Sequence, residues 1–215
     1  MWSILYNGGT KVKREEKNFQ SRRKIIDSAL KEFSEKTYGE ASLNTVCNSG
    51  NISKGIIYHY FKDKDELYLV CLKECFDALT NYLSEKITLD EPDIHKCLEK
   101  YFDARITFFN ENPLYLKLFC TSVTNPPTHL KEEILKIKSN FDALNISVLK
   151  SLLKNAKLRS DITMEEVIDT FRLYQDFLNT RYQDEFLTEE GLKEHEKKCN
   201  LSLSILLYGV IDRGM

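Results

Sequence analysis

Apolar residues along this chain recur at three- and four-residue spacing, and no stretch alternates with the period of two that marks a strand. Ile25, Ile26, Ala29, Leu30 and Phe33 form the first stripe, which predicts a helix over about 21–36. Leu43, Val46 and Cys47 predict a short helix over 42–49, and Ile52, Ile57 and Phe61 a second over 53–60. Ser42 and Ser53 stand where N-caps belong. Gly50 and Asn51, between the two, are residue types that tolerate a left-handed backbone. A long helix follows from Asp63 to about 86, with Leu67, Val70, Cys71, Cys75, Leu79 and Leu83 along it. Pro92 and Pro113 suit the first turns of helices over about 92–110 and 113–123. Further helices are expected over 128–156, over 163–185 behind a Thr163/Glu166 capping box, and over 189–211. The expectation is an all-α chain of about nine helices. Residues 1–20 form an arm without helical periodicity, 21–64 a three-helix head, and 65–215 a helical body.

Two short helices joined by a tight turn make a helix-turn-helix, whose second helix is the kind that enters a DNA major groove. Ile57 and Phe61 turn inward, which leaves Lys54, Gly55, Tyr58 and His59 outward. Gly55 removes a side chain where backbone could approach the bases. Asn44, on the preceding helix, has the reach for a base edge or a phosphate. Lys64 sets its ammonium beside a helix N-terminus, so two positive features face one phosphate.

The segment SKGIIYHYFKDKDEL resembles the recognition-helix signature of the TetR family of bacterial repressors, the TetR/AcrR type. The signature is matched at Ser53, Lys54, Gly55, Ile57, Tyr58, Tyr60, Phe61, Lys64 and Leu67. Upstream, RRKIIDSALKEFSEK resembles the family's first helix, so the likeness spans residues 22–70. Two departures are visible. Thr37-Tyr38 stands where the family has Gly-Tyr, and Gly50-Asn51 where it has Ala-Gly. The resemblance implies base contacts by Asn44, Lys54, Gly55, Ile56, Tyr58 and His59, and phosphate contacts by Ser42, Thr45, Tyr60 and Lys64. It also implies a ligand-responsive repressor that binds palindromic double-stranded operator DNA as a homodimer and is released by a small apolar or amphipathic effector.

The body carries weaker signals. Residues 101–119 are aromatic-rich, and Phe102, Phe109, Tyr115 and Phe119 are candidates to meet Phe141, Phe171 and Tyr174 around a cavity. Arg105, His129 and Gln175 are the candidate polar contacts there. A plain aromatic core is the competing reading of the same residues. The last two helices are apolar on more than one face, which requires burial. Either they fill a monomer core or they pair in a symmetric four-helix dimer through Val167, Phe171, Leu178, Leu203, Leu206, Leu207 and Val210. The resemblance favours the dimer.

Charge changes the picture only through its distribution. The chain has 215 residues and a formal net charge of −2. Residues 11–64 hold 12 Lys/Arg against 7 Asp/Glu, while residues 65–215 hold 19 against 26. A basic front end on an acidic body fits one end that faces DNA. Lys11, Lys13, Arg14, Lys17, Arg22, Arg23 and Lys24 make a basic arm, read either as a backbone or minor-groove contact or as a solvated charge run.

No apolar run reaches membrane-spanning length, so a cytoplasmic protein with reduced cysteines and no membrane partner is expected. The six cysteines match no CxxC-type zinc spacing, and no cofactor is expected. A thiol or metal sensor using Cys71, Cys75 and Cys97 is the alternative, followed by a helical small-molecule binder that does not bind DNA. No hydrolase, P-loop, dinucleotide or zinc-protease motif appears, so no enzyme is expected. At the start, codons for Gly8-Gly9 can resemble a ribosome-binding site, and Val12 follows at a spacing that suits a GTG start. The natural chain then begins at Val12, or residues 1–11 are a genuine arm.

Overall fold

The computed structural model describes residues 8–87, 93–154, 157–181 and 189–211, with side chains from Arg14 onward except at 94–95, 178–181 and 189. The helices are α1 (Gly8–Glu35), α2 (Leu43–Ser49), α3 (Lys54–Tyr60), α4 (Lys64–Lys86), α5 (Ile94–Glu111), α6 (Pro113–Thr124), α7 (Lys131–Leu153), α8 (Met164–Arg181) and α9 (Glu189–Val210). A 3-10 turn at Thr128–Leu130 precedes α7, and no strand occurs among the described residues. The chain divides into two compact units, Met1–Cys71 and Leu72–Met215.

In the first unit α1 begins at Gly8, well before the expected start at 21. Residues 14–20 are all exposed. They show no apolar stripe because they have nothing to pack against, and Lys, Arg, Glu and Gln build helix there by propensity alone. The basic arm is therefore helical from Gly8 onward, though the side chains of Lys11 and Lys13 lie outside the described set. From Ile25 the helix becomes the spine of the head. Ile25, Ala29, Phe33, Val46, Ile57, Phe61 and Leu67 are almost fully buried together. Glu32, 4% exposed, accepts from the Ser42 backbone N–H at 2.9 Å and from Lys36 Nζ at 3.1 Å. That buried carboxylate ties α1 to the entry of α2.

In the second unit α5 packs most extensively on α9, and α6 and α9 both contact α8. Leu98, Phe109, Leu118 and Leu149 are buried in its interior. The capping box that opens α8 is present: Thr163 N–H and Oγ1 both donate to Glu166 Oε2 at 2.8 Å, and Glu166 N–H donates back to Thr163 Oγ1 at 3.2 Å. Pro113 occupies the first turn of α6 as expected, whereas α5 begins at Ile94 and Pro92 lies outside the described residues.

The expected dimer residues need correction. Val167, Phe171, Leu203, Leu207 and Val210 are all under 9% exposed within one protomer, and Leu206 is half-buried. They face the protomer's own core and have little surface left to give. Leu178's side chain lies outside the described residues. The apolar positions that remain exposed are Leu173 and Phe177 on α8, and Leu201, Ile205 and Tyr208 on α9. Both sets recur at helical spacing, so one apolar stripe fills the protomer and a second, offset around each helix, stays open.

Candidate nucleic-acid interface and effector cavity

Backbone and caps set the reading helix. Ser42 Oγ accepts from Asn44 N–H at 3.2 Å, and Ser53 Oγ accepts from Ile56 N–H at 3.4 Å. In the turn, Ile52 N–H donates to Cys47 O at 2.8 Å. Asn51 takes φ 45°, the left-handed conformation, while Gly50 has φ −85°. Gly50 is therefore needed for space rather than for its backbone freedom. A Cβ there would stand 2.5 Å from both Ile52 Cδ1 and Ser28 Oγ.

With Ile57 buried at 0% and Phe61 at 2%, α3 presents Lys54, Gly55, Ile56, Tyr58 and His59 to solvent. Ile56 is 45% and Tyr58 50% exposed, so a large part of each side chain faces outward. A Cβ at Gly55 would meet nothing within 4 Å, so no internal packing asks for glycine there. Asn44 is exposed, and Ser42 and Thr45 are half-buried. Tyr60 is half-buried, with its hydroxyl donating to Asn18 Oδ1 at 3.2 Å and its ring edge-on to His59. Arg22 lies 5.2 Å from the Phe61 ring centroid.

Lys64 does not stand free for a phosphate. Its ammonium donates to Tyr38 O at 2.9 Å and Ala41 O at 3.2 Å, and lies 4.1 Å from the Tyr38 ring centroid. Two of three donors are spent on the loop between α1 and α2. Tyr38, in turn, packs edge-on to Tyr68 and donates to Asp65, and burial together with that carboxylate pushes its hydroxyl well above the usual tyrosine range. The expected phosphate residue is thus a brace, a role that its position in the signature alone does not show.

In the second unit a cavity of about 310 Å³ is lined by four of the candidate residues, Arg105, Phe119, Phe141 and Gln175. A smaller void of about 40 Å³ adjoins Phe102, Phe171 and Tyr174, and also touches Arg105 and Gln175. Three candidates fall away from both. Phe109 is packed against Phe108 and Phe119, the Tyr115 hydroxyl donates to Glu74 Oε1 at 2.6 Å, and His129 is exposed on the 3-10 turn.

Arg105 is the centre of a buried polar cluster. It is 5% exposed, and its guanidinium sits 5.8–5.9 Å from the ring centroids of Tyr101, Phe119 and Phe141. Its Nη2 lies 3.2 Å from Oε1 of Glu196, which is fully buried. The pairing holds the guanidinium charged against its burial. Yet among the described residues Arg105 Nε and both Glu196 oxygens have no well-aligned hydrogen-bond partner. His195 Nδ1 lies 3.5 Å from Glu196 Oε1, and its Nε2 is 3.4 Å from Cys199 Sγ. Burial lowers the His195 pKa, against the opposing pull of Glu196. Tyr101 donates to Asn145 Oδ1, and burial pushes its hydroxyl up to about 12. Glu196, His195 and Asn145 escape sequence reasoning, whereas Tyr101 opens the aromatic-rich run. HEKKC reads as a charged, solvated face, and only the packing of α9 on α5 turns it inward.

Cys71, Cys75 and Cys97 are each buried, and Cys75 Sγ donates to Tyr115 O. Among the described residues no three His, Cys, Asp or Glu converge as a metal site. No described helix is long and apolar enough to cross a membrane.

Residues 25–71 match the family model of the bacterial regulatory proteins, tetR family. The biofilm operon icaADBC HTH-type negative transcriptional regulator IcaR of Staphylococcus epidermidis is 28% identical over 132 residues, 61% of this chain and 66% of that protein. IcaR of Staphylococcus aureus strain Newman is 25% identical over 191 residues, 86% of this chain and 97% of that one. Among solved structures, the transcriptional regulator FadR from Bacillus subtilis in complex with stearoyl-CoA aligns with TM-score 0.67 at 15% identity, over 87% of this chain and 98% of that one. A TetR family transcriptional regulator from Chloroflexus aurantiacus J-10-FL aligns with TM-score 0.64 at 21% identity, over 92% of this chain and 98% of that one. The all-α fold is theirs.

Proposed function

We propose that this chain, a member of the TetR family of bacterial regulatory proteins, is a homodimeric repressor. It reads a two-fold operator through α2 and α3, and a small molecule bound in the body releases it. The outer face of α3 carries this reading. Gly55 stands in the first turn of α3 with a normal helical role open to any residue, and no packing reason asks for glycine there. Beside it, Ile56 and Tyr58 are held out in water. A surface that gains nothing inside the protomer is shaped for something outside it. A glycine that lets backbone approach, with apolar and hydrogen-bonding side chains around it, suits base edges in a major groove.

We assign Asn44, Lys54, Gly55, Ile56, Tyr58 and His59 to the bases, and Ser42, Thr45 and Tyr60 to phosphates. Lys64 we reassign to bracing. The exposed stripe of Leu173, Phe177, Leu201, Ile205 and Tyr208 supplies the isologous apolar patch that a two-fold dimer requires. The negative regulation named for IcaR supports the repressor sign, and the stearoyl-CoA complex of FadR supports a small-molecule site in this fold. By linkage, an effector that weakens operator binding is itself weakened by operator DNA to the same factor.

The test is a titration of the unmodified chain and the Tyr58→Ala variant against a near-palindrome and scrambled DNA. Tyr58→Ala should lose about 1–3 kcal/mol per half-site on the near-palindrome and relax preference at one position. Equal affinities of the two proteins for the near-palindrome would refute the assignment of α3 to base reading.

A further inference from the structure

We infer that the cavity beside Arg105 takes a small organic monocarboxylate, one anionic head on an apolar body, whose head competes with Glu196 for the guanidinium. This rests on the effector-responsive reading above and names the chemistry of that site. Arg105 is almost wholly buried, yet its Nε has no acceptor. A buried donor left unmade is expensive, and a carboxylate meets a guanidinium through two parallel hydrogen bonds. The counter-ion already present is poorly engaged. Glu196 approaches through one oxygen at 3.2 Å and shares that oxygen with His195 Nδ1 at 3.5 Å. Arg105 lines the cavity, so a carboxylate bound there is within reach of the guanidinium.

The walls agree. At about 310 Å³ the cavity sits at the lower end of the ~300–1,000 Å³ usual for small-molecule sites. Phe119, Phe141 and Ile146 give it an apolar side. Around it stand Lys138, paired with Asp142 at 3.9 Å, Arg172, paired with Asp169 at 3.4 Å, and Asp176. A cationic ligand would meet the Arg105 guanidinium, and a neutral hydrocarbon would leave Nε unpaired. Because Arg105 and Glu196 pair α5 with α9, a head group that takes the guanidinium loosens that pair. α9 also carries the exposed Leu201, Ile205 and Tyr208.

The experiment uses the full chain with alkanoates from butanoate to dodecanoate and phenylalkanoates from phenylacetate to 4-phenylbutanoate, each against its primary amide. Thermal shift and calorimetric titration read binding. At least one acid should bind about tenfold or more tighter than its amide. Arg105→Gln should erase that preference. Should that variant not fold, the Arg105→Gln/Glu196→Gln pair, which leaves no uncompensated buried charge, replaces it. Glu196→Gln should tighten the acid about threefold or more by removing its competitor. Binding by no acid, equal binding of acid and amide, or unchanged or weaker acid binding in Glu196→Gln would overturn the inference. Operator release is titrated separately. An acid that binds through Arg105 and leaves operator affinity untouched overturns the regulatory reading alone, whereas an amide that releases operator while no acid binds overturns the carboxylate alone.

Discussion

Replacing Lys64 with Met should destabilise the chain by about 2–4 kcal/mol, before any DNA is present. The side chain keeps its apolar stem and loses only its charge and donors. In the structure that ammonium makes two hydrogen bonds, to Tyr38 O and Ala41 O, and covers the Tyr38 ring. A hydrogen bond to a charged group contributes roughly 1.5–3 kcal/mol when buried, and the half-buried setting of Lys64 reduces each by about half. The cation–ring contact adds about 0.5–1 kcal/mol. For a chain of this length, each kcal/mol moves Tm by about 2–4 °C. Scanning calorimetry should therefore show a Tm lower by about 4–16 °C. The opposite pattern is an unchanged Tm with operator and scrambled DNA weakened alike and a salt slope reduced by about one per half-site. That result would restore Lys64 as a phosphate ligand and refute the bracing role.

Other substitutions separate the remaining claims. Asn51→Gly should leave stability unchanged or raised, and Asn51→Val should lose about 1–2 kcal/mol in denaturant unfolding, because the left-handed backbone penalises a side chain. Equal midpoints for the two would remove the turn from the account. Ile205→Glu with Leu173→Glu should give a folded monomer in sedimentation, since both sites are exposed in the protomer. Leu207→Glu, at 1% exposure, should unfold it at a cost of several kcal/mol. A double variant that still dimerises would place the interface elsewhere. His195 is held below its usual 6.5 by burial, so the unfolded chain binds the proton more readily than the folded one. Stability is then full above about 6.5 and falls with pH from there toward the lower folded value. His195→Gln should flatten that decline, and an identical decline in both proteins would show that His195 is not its source.

The helix-turn-helix was legible because its signals are local. Caps, inward apolar residues and the turn's Asn51 lie within a few positions of one another, as does the Thr163/Glu166 box on α8. The start of α1 was not legible, because a fully solvated helix has no stripe to read. Gly50 was placed in the turn correctly but for another reason. Its need for space comes from Ser28, a residue on a different helix. The cavity was half legible. Aromatic residues and Arg105 stand out in α5, but the partner that defines Arg105's chemistry sits in a charged run of α9. Of the two apolar stripes on α8 and α9, the residues expected at a dimer seam fall mostly on the one that the protomer buries, since apolar pattern alone does not say which stripe a protomer keeps for itself.

Glu32 fixes more than the entry of α2. A buried carboxylate that accepts from the Ser42 amide fastens the entry of α2 to α1, so on the function proposed above the head should respond to an effector as one piece. On that proposal the head should keep its shape whether or not the body holds an effector. The effector would then act on avidity, the effective concentration at which the second head meets its half-site once the first is bound. One head on an isolated half-site should then bind equally well with and without the effector, and the whole regulatory response should reside in the pairing of two.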